Sequence, residues 1–285
     1  MMTDPMLQAK MDSVILLALE EDMPAGDLST MAVMPEPRRG CVQLIAKQDG
    51  VIAGLGVFAR VFELIDAETC VDALVDDGDE VFVGQHVATV EGDVRVLLEG
   101  ERTALNFLQR MSGVATYTRR IARLFEGTKT RLVCTRKTTP GLRIFEREAV
   151  RLGGGGLHRA GLSDAVMLKD NHIDAAGGVA PAVAAARATA PFTVKVEVEC
   201  ESLDMVREAV EAGADIIMLD NMGHDAMAEA IAYIDGRATV EASGNVSAEN
   251  AAGFVDLGVD VVSCGALTHS AGILDLSLKH LEVFE

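Results

Sequence analysis

Arg136, Lys137, His158, Arg159 and Lys169 crowd into one stretch of this chain. Between Arg131 and His172 there are eight Lys or Arg against four acids, a balance of +4 in a chain whose formal net charge is -19. Such a gathering of cations in an acidic protein implies an anionic ligand, because Arg offers a planar fork to carboxylate or phosphate and Lys a mobile point charge. Any one of them alone would pass for an ordinary surface cation. Five at the ends of candidate strands and loops would not. Further on, Glu199 and Asp220 end two apolar segments, and Ser243-Gly244-Asn245 and Cys264-Gly265-Ala266 end two more. Acids beside the cations suit a ligand that develops positive charge as it reacts. Small residues ahead of a helix suit backbone capture of phosphate; the plainer reading of each is a tight turn.

The elements that must position these groups follow from the apolar pattern. Leu132-Val133-Cys134 delivers Arg136 and Lys137, and Ala165-Val166-Met167-Leu168 delivers Lys169, so both read as buried strands ending in a cation. Between them lie Pro140-Gly141, a helix-length run from Leu142 to Leu152, and four glycines, Gly153 to Gly156, expected to let backbone approach a ligand closely. Strands are predicted at 131–135, 165–168, 193–198, 215–219, 238–242 and 260–263, with helices at 142–152, 177–190, 202–212, 225–235 and 247–257 between them. AGLSDAVMLKD, AGADIIMLDN and LGVDVVSCGA share one phrase, glycine then aspartate then strand. Repeated strand and helix units mean a β/α barrel or an open doubly wound sheet. Six strands fall short of eight, so the expectation is an α/β protein with an incomplete, about six-stranded β/α barrel whose chemistry sits at the carboxyl ends of its strands.

Upstream the text differs. Residues 6–22 repeat apolar positions at helical spacing and stop before Pro24, predicting an opening helix, and Ala25 to Thr30 reads as a turn. From about Gly40 to Leu98 short alternating segments predict a small β-rich unit, with Asp77-Gly78-Asp79-Glu80-Val81 as a hairpin turn. Its turns resemble those of biotin- or lipoyl-carrying modules, but Lys47, its only lysine, lacks the flanks of a carrier lysine, so the unit is read as structural. A helix is predicted from Gly100 with Arg102 in its first turn, where the dipole mildly disfavours a cation and so hints at a nearby anion.

Composition bounds the function. A pI near 4.7 argues against nucleic acid or an anionic membrane as partner. Apolar runs such as Val14 to Leu19 are far too short to span a bilayer, and the start MMTDPMLQAKMD lacks the regions of a signal peptide, so a cytoplasmic location is expected. Cys41, Cys70, Cys134, Cys200 and Cys264 show neither CxxC spacing nor the density of a disulfide scaffold, and those at strand ends read as small buried residues. The six histidines form no ligand motif, so no metal held by protein alone is implied.

TRKTTPGLR, the glycine run with HR, LSDAVMLKDNHI, VEVE, MLDN, EASGN and CGALTHS, with LEEDMPAGDLST, GVIAGL and ERTALNFLQRMSGVAT upstream, resemble quinolinate phosphoribosyltransferases over nearly the whole chain. The resemblance implies a type II phosphoribosyltransferase fold. An N-terminal α/β sandwich domain, residues 1–112 completed by about 270–285, would precede the incomplete barrel at 113–269. The active site would be completed across a homodimer, or within a higher assembly. Thr135, Arg136, Lys137, His158, Arg159 and Lys169 would line the site for quinolinate and the diphosphate, with Arg102 contributed by the neighbouring subunit. Glu199 and Asp220 would face the ribose and a Mg²⁺ carried by phosphoribosyl pyrophosphate, and Ser243 to Asn245 with Cys264, Gly265 and Ala266 would take the 5-phosphate. Lys137, Lys169, Glu199 and Asp220 would be the catalytic set. Gly156-Leu157-His158 departs from the family, which commonly places Asn before the His, and this bears on the aim of His158.

The implied chemistry suits the residues. Quinolinate carries two carboxylates and phosphoribosyl pyrophosphate is heavily anionic, so uniting them needs concentrated positive charge. The rival readings are a molybdenum-transport-associated homologue, disfavoured by the intact Lys169-Asp170-Asn171-His172; a Schiff-base aldolase using Lys169; and a non-catalytic anion-binding protein.

Overall fold

The computed structural model describes residues 4–284, so residues 1–3 and 285, at the extremes of the expected sandwich and its return, lie outside the described residues. The chain forms two compact units. The first comprises the residues up to Arg119, Thr139–Gly154, and those from Ala271 onward; the second comprises Arg120–Thr138 and Gly155–Ser270.

In the first unit, Asp4 caps helix α1 (Pro5–Asp22) by accepting from the amides of Met6 and Leu7, and α1 buries Met11, Ile15 and Leu19, which recur every four residues along one face. The segment read as a turn at 25–30 is instead the start of α2 (Leu28–Val33), because the Asp27 side chain takes the Ser29 amide and caps a helix there. Then come β1 (Arg39–Ala46), β2 (Gly50–Val51), α3 (Leu55–Ile65), β3 (Cys70–Ala73), β4 (Glu80–Val81) and β5 (His86–Asp93). Strand β1 alternates buried and half-buried positions, the mark of a sheet covered on one face. The Asp77-Gly78 turn makes no hairpin. Asp77 spends its carboxylate on the Gly54 and Leu55 amides at the start of α3, at 2.6 and 3.0 Å, and the strand that follows, β4, pairs with β2. Helix α4 (Val94–Ala122) starts six residues before Gly100, so Arg102 lies in its third turn, beyond the reach of the terminal dipole.

The first strand of the second unit is β6 (Arg131–Val133). The chain next forms α5 (Arg143–Leu152), which the expected 113–269 barrel would include but which belongs to the first unit. The reason is its apolar face: Phe145, Ala149 and Val150 are buried, the Phe145 ring lies 5.0 Å from that of Phe107, and buried Glu146 receives Arg110 at 2.6 Å. There follow β7 (Val166–Leu168), α6 (Asp170–Ala176), α7 (Val179–Thr189), β8 (Val196–Cys200), α8 (Leu203–Glu211), β9 (Ile216–Asp220), α9 (His224–Ile234), β10 (Thr239–Ser243), β11 (Val261–Ser263) and the one-turn α10 (Ala266–His269). The last strand, β12 (Leu276–Val283), pairs antiparallel with β1, so the first unit's sheet runs β12-β1-β5-β3 with α3 contributing its Phe58 and Phe62 to the core.

The parallel sheet runs β6-β11-β10-β9-β8-β7, and no pairing joins β6 to β7 among the described residues. This is an incomplete six-stranded β/α barrel preceded in the chain by an α/β sandwich. Two predicted elements shift. Strand β8 starts at Val196 rather than 193 because Pro191 to Val194 closes a turn at 2.9 Å. The helix expected at 247–257 shrinks to a 3₁₀ turn at Ala251–Phe254, since Asn250 bonds the Ser247 amide and the Asn245 carbonyl and competes with helical pairing.

Candidate active site

Beyond the carboxyl ends of the barrel strands lies a cavity of about 480 Å³. Strand periodicity builds it. Met167 with Lys169, Glu197 with Glu199, Met218 with Asp220 and Glu241 with Ser243 are i, i+2 pairs, so each strand sends both members to the same face. Thr135, Arg136, Lys137, His158, Arg159 and Lys169 line this cavity together with Glu199, Asp220 and Ser243 to Asn245.

Around the rim, each group is held by its own element. Lys137 follows β6; its amide donates to Thr135 Oγ1 at 3.1 Å and its carbonyl accepts from Thr268 Oγ1 at 2.8 Å. Arg159 donates through Nη1 to the Ala165 carbonyl at 3.2 Å and through Nη2 to Met167 Sδ at 3.4 Å. Burial, with the charge of Arg136 beside it, draws the Arg159 guanidinium below its usual pKa, and it remains a cation. The Lys169 ammonium donates to Glu199 Oε2. Asp220 accepts from Asn221 Nδ2 at 2.7 Å. The Ser243-Gly244-Asn245 turn is locked to the same Asn221: its amide donates to the Ser243 carbonyl at 3.1 Å and its Oδ1 accepts from Asn245 Nδ2 at 3.2 Å. A Cβ on Gly244, where φ is +108°, would stand 2.4 Å from Asn221 Oδ1.

Four expected residues stand elsewhere. Arg102 belongs to α4 of the first unit and does not line this cavity. Cys264 is buried with its thiol 3.1 Å from the Val246 carbonyl, and burial raises its pKa. Gly265 and Ala266 do not line the cavity either. A Cβ on Gly265 would lie 2.9 Å from Lys137 Cδ, so its missing side chain makes room for the stem of Lys137. Nor do the four glycines approach the cavity. The bareness of two of them serves packing within the protein: a Cβ on Gly153 would meet the Ala115 carbonyl at 2.5 Å, and one on Gly156 would meet Val133 at 3.1 Å, while Gly154 takes a positive φ of 93°. Leu157 is 45% exposed.

Sequence reasoning missed Asn221, Ser263, Met167, Met218 and two buried acids. Glu241 lines the cavity floor, 3.2 Å from His158 Nε2, and Glu197 stands 3.6 Å from the same nitrogen. Burial depresses the His158 pKa and the two carboxylates push it up, while the Arg159 amide, which donates to His158 Nδ1 at 2.8 Å, opposes a second proton on the ring. Burial, opposed by His158 and reinforced by Glu241, raises the pKa of Glu197. Both acids sit two residues before a strand-end site residue, and that spacing could have found them.

This is a cationic bowl with two rim carboxylates, able to seat an anion and to face a developing positive centre. The family model described as quinolinate phosphoribosyl transferase, C-terminal domain, matches residues 114–279, and that for the N-terminal domain matches 27–112. The chain belongs to the quinolinate phosphoribosyl transferase family. It is 44% identical over 264 residues to a Synechocystis protein named probable nicotinate-nucleotide pyrophosphorylase [carboxylating], covering 92% of this chain and 89% of that one. A Bacillus subtilis protein of the same name is 40% identical over 259 residues, covering 90% and 89%. Among solved structures, NadC from Streptococcus pyogenes is 48% identical with a TM-score of 0.94, covering 97% of this chain and 98% of that one.

Proposed function

We propose that this protein transfers phosphoribosyl from phosphoribosyl pyrophosphate to quinolinate with loss of CO₂, giving nicotinate mononucleotide and pyrophosphate in de novo NAD biosynthesis. The observation that carries this reading is the joining of Arg136, Lys137, Arg159 and Lys169 with Glu199 and Asp220 around one cavity, in a member of this family. The relatives' names favour it over the molybdenum-transport-associated alternative.

In the proposed reaction, Arg136 and Arg159 take the quinolinate carboxylates, since a guanidinium fork matches them. Lys137 and Lys169 take the diphosphate. The bond from ribose C1 to pyrophosphate breaks with its electron pair leaving on oxygen, and Glu199 and Asp220 face the positive charge that grows on the sugar. The quinolinate ring nitrogen forms the new bond to C1. The ring, now a pyridinium, accepts the electrons of the breaking C–CO₂ bond, and the carbon left behind takes up a proton. No protein nucleophile is needed. Water must be kept out, because the electron-poor C1 would otherwise be hydrolysed.

Mg²⁺ arrives as part of the phosphoribosyl pyrophosphate substrate. Two cavity-facing carboxylates, Glu199 and Asp220, offer the hard oxygen donors that such an ion takes. It would make pyrophosphate a better leaving group. Arg102 would complete the site from a second subunit of a homodimer. No helix among the described residues is long and apolar enough to cross a membrane, and we place the reaction in the cytoplasm.

The test is direct. Purified protein with quinolinate, phosphoribosyl pyrophosphate and Mg²⁺ should release CO₂ and nicotinate mononucleotide in equal amounts. Quinolinate binding without product would leave an anion-binding protein, and a borohydride-trapped adduct at Lys169 would leave a Schiff-base enzyme.

A further inference from the structure

At the floor of the cavity, which His158 and Glu241 line, these two and Glu197 meet at one nitrogen, and the proposed reaction leaves all three unused. Oε2 of Glu241 and Oε2 of Glu197 stand 3.2 and 3.6 Å from His158 Nε2. The acids are 2% and 1% exposed, and Oε1 of each has no hydrogen-bond partner among the described residues. Buried carboxylates are costly, so a pair of them is kept for a reason.

A histidine with two glutamates, their ligand atoms all within 4.8 Å of one another, is a donor set that could hold a divalent cation. The histidine ring argues otherwise. The Arg159 amide donates to His158 Nδ1 at 2.8 Å, so that nitrogen presents its lone pair and carries no proton. A neutral ring must then hold its proton on Nε2, the nitrogen a metal would need, and direct it at the two carboxylates. The carboxylates favour a second ring proton, but the only place for it is Nδ1, where a donor already stands. A donor facing a donor at that distance is a direct conflict, so in this conformation the amide decides the ring's state. The ring can become charged only when the amide turns away.

The same ring ties two parts of the barrel. Gly156 is bridged to β6, its amide donating to the Leu132 carbonyl at 2.7 Å and its carbonyl accepting from the Cys134 amide at 3.1 Å. Two residues later His158 reaches Glu197 on β8 and Glu241 on β10. The Arg159 backbone is fastened to the ring, and its guanidinium faces the cavity. We propose that Glu197 and Glu241 are positioning residues acting through His158: they fix its Nε2–H tautomer and ring orientation, and the ring in turn anchors the segment that presents Arg159 to the dicarboxylate substrate. This rests on the transferase reading for the identity of the substrate, but its central test needs no turnover.

That test is ¹⁵N NMR of the intact protein labelled in its histidine rings, with the His158 signals assigned by loss in His158→Gln. At neutral pH, without ligand, His158 should show an unprotonated Nδ1 and a protonated Nε2. Glu241→Leu should abolish that pattern, and Glu241→Gln, which keeps an acceptor oxygen, should retain it. A ring protonated on both nitrogens or on Nδ1 alone in the native protein overturns the proposal, as does a stoichiometric zinc or manganese ion retained on Nε2 after dialysis. In kinetics, Glu241→Leu should raise KM for quinolinate by roughly tenfold, as expected for losing one buried charged hydrogen bond, while KM for phosphoribosyl pyrophosphate stays unchanged. An equal rise in both constants, or a loss confined to kcat, also overturns it. If the native protein makes no nicotinate mononucleotide while the ring pattern holds, the substrate assignment fails and the anchor stands.

Discussion

The ammonium of Lys169, at the start of α6, is paired with the carboxylate of Glu199, at the end of β8. Each neutralises the other while the cavity holds no anion. On the proposed roles, an incoming diphosphate would compete with Glu199 for Lys169 and so free Glu199 to face the ribose. Glu199→Gln is therefore expected to lose roughly tenfold or more in kcat, because the charge opposite C1 is gone, while binding pyrophosphate at least as well as the native protein. Combined with Lys169→Ala, the two losses should fall short of the sum of the singles, since the residues form one unit. Strict additivity of the four kcat/KM values would show that the pair does not act together.

Gly265 and Lys137 give a second prediction. Lys137→Ala should cost roughly tenfold or more in turnover with an unchanged melting temperature. Gly265→Ala should do nearly the same, since its Cβ would meet Lys137 Cδ at 2.9 Å and push a flexible stem aside at little cost in stability. In the Lys137→Ala background Gly265→Ala should have no further effect on kcat. A further loss there would mean that Gly265 acts on the substrate itself.

Gly244→Ala should behave differently. Here the new Cβ meets the Asn221 backbone nitrogen at 2.7 Å as well as its side chain, and φ is +108°, so neither neighbour nor backbone gives way cheaply. A destabilisation of about 1–3 kcal/mol is expected, visible as a lower melting temperature along with weaker phosphoribosyl pyrophosphate binding. A melting curve that overlays the native one would show that the turn adapts.

The cysteines should separate by environment. Cys70 is exposed, while Cys134, Cys200 and Cys264 are buried, and burial pushes the Cys200 thiol up to about 12 and raises that of Cys264. A raised pKa means less thiolate, so at pH 8 Cys70 should react fastest with an aromatic disulfide reagent and Cys70→Ser should remove that phase. Rapid modification of Cys200 in the folded protein would contradict its placement.

Arg102 tests the second subunit. Arg102→Ala and Lys169→Ala chains, each inactive alone, should regain part of the activity when mixed and refolded together, because the heterodimer assembles one intact site. No recovery at any ratio would mean that each chain supplies its own Arg102.

Much of this was readable in the residues. Arg136, Lys137, Lys169, Glu199 and Asp220 announced themselves because each stands at or just past the end of a strand, where an apolar run stops at a charge, and His158 with Arg159 because they close a run of glycines. Glu197 and Glu241 were passed over because they stand inside such runs, and only strand periodicity, counting back two from Glu199 and Ser243, puts them on the inward face. Asn221 was hidden because its work is done through backbone conformation, at φ +53°, and through partners 22 and 24 residues away. Gly265 was read for phosphate because small residues before a helix suit one; that its emptiness serves Lys137 depends on a contact between distant parts of the chain. The cap at Asp77 was missed for the same reason, since the amides it receives belong to Gly54 and Leu55; the cap at Asp27 is local, and is recognised only by the Ser29 amide it receives.

Helix α5 has a consequence for anyone who would shorten this protein. A fragment cut out at 113–269 would carry along a stripe of Phe145, Ala149 and Val150 whose companions had been left behind, together with a Glu146 deprived of Arg110. Such a fragment would present greasy surface and an orphaned charge to water, and it should clump rather than fold. A working miniature would have to replace residues 139–154 with a short linker.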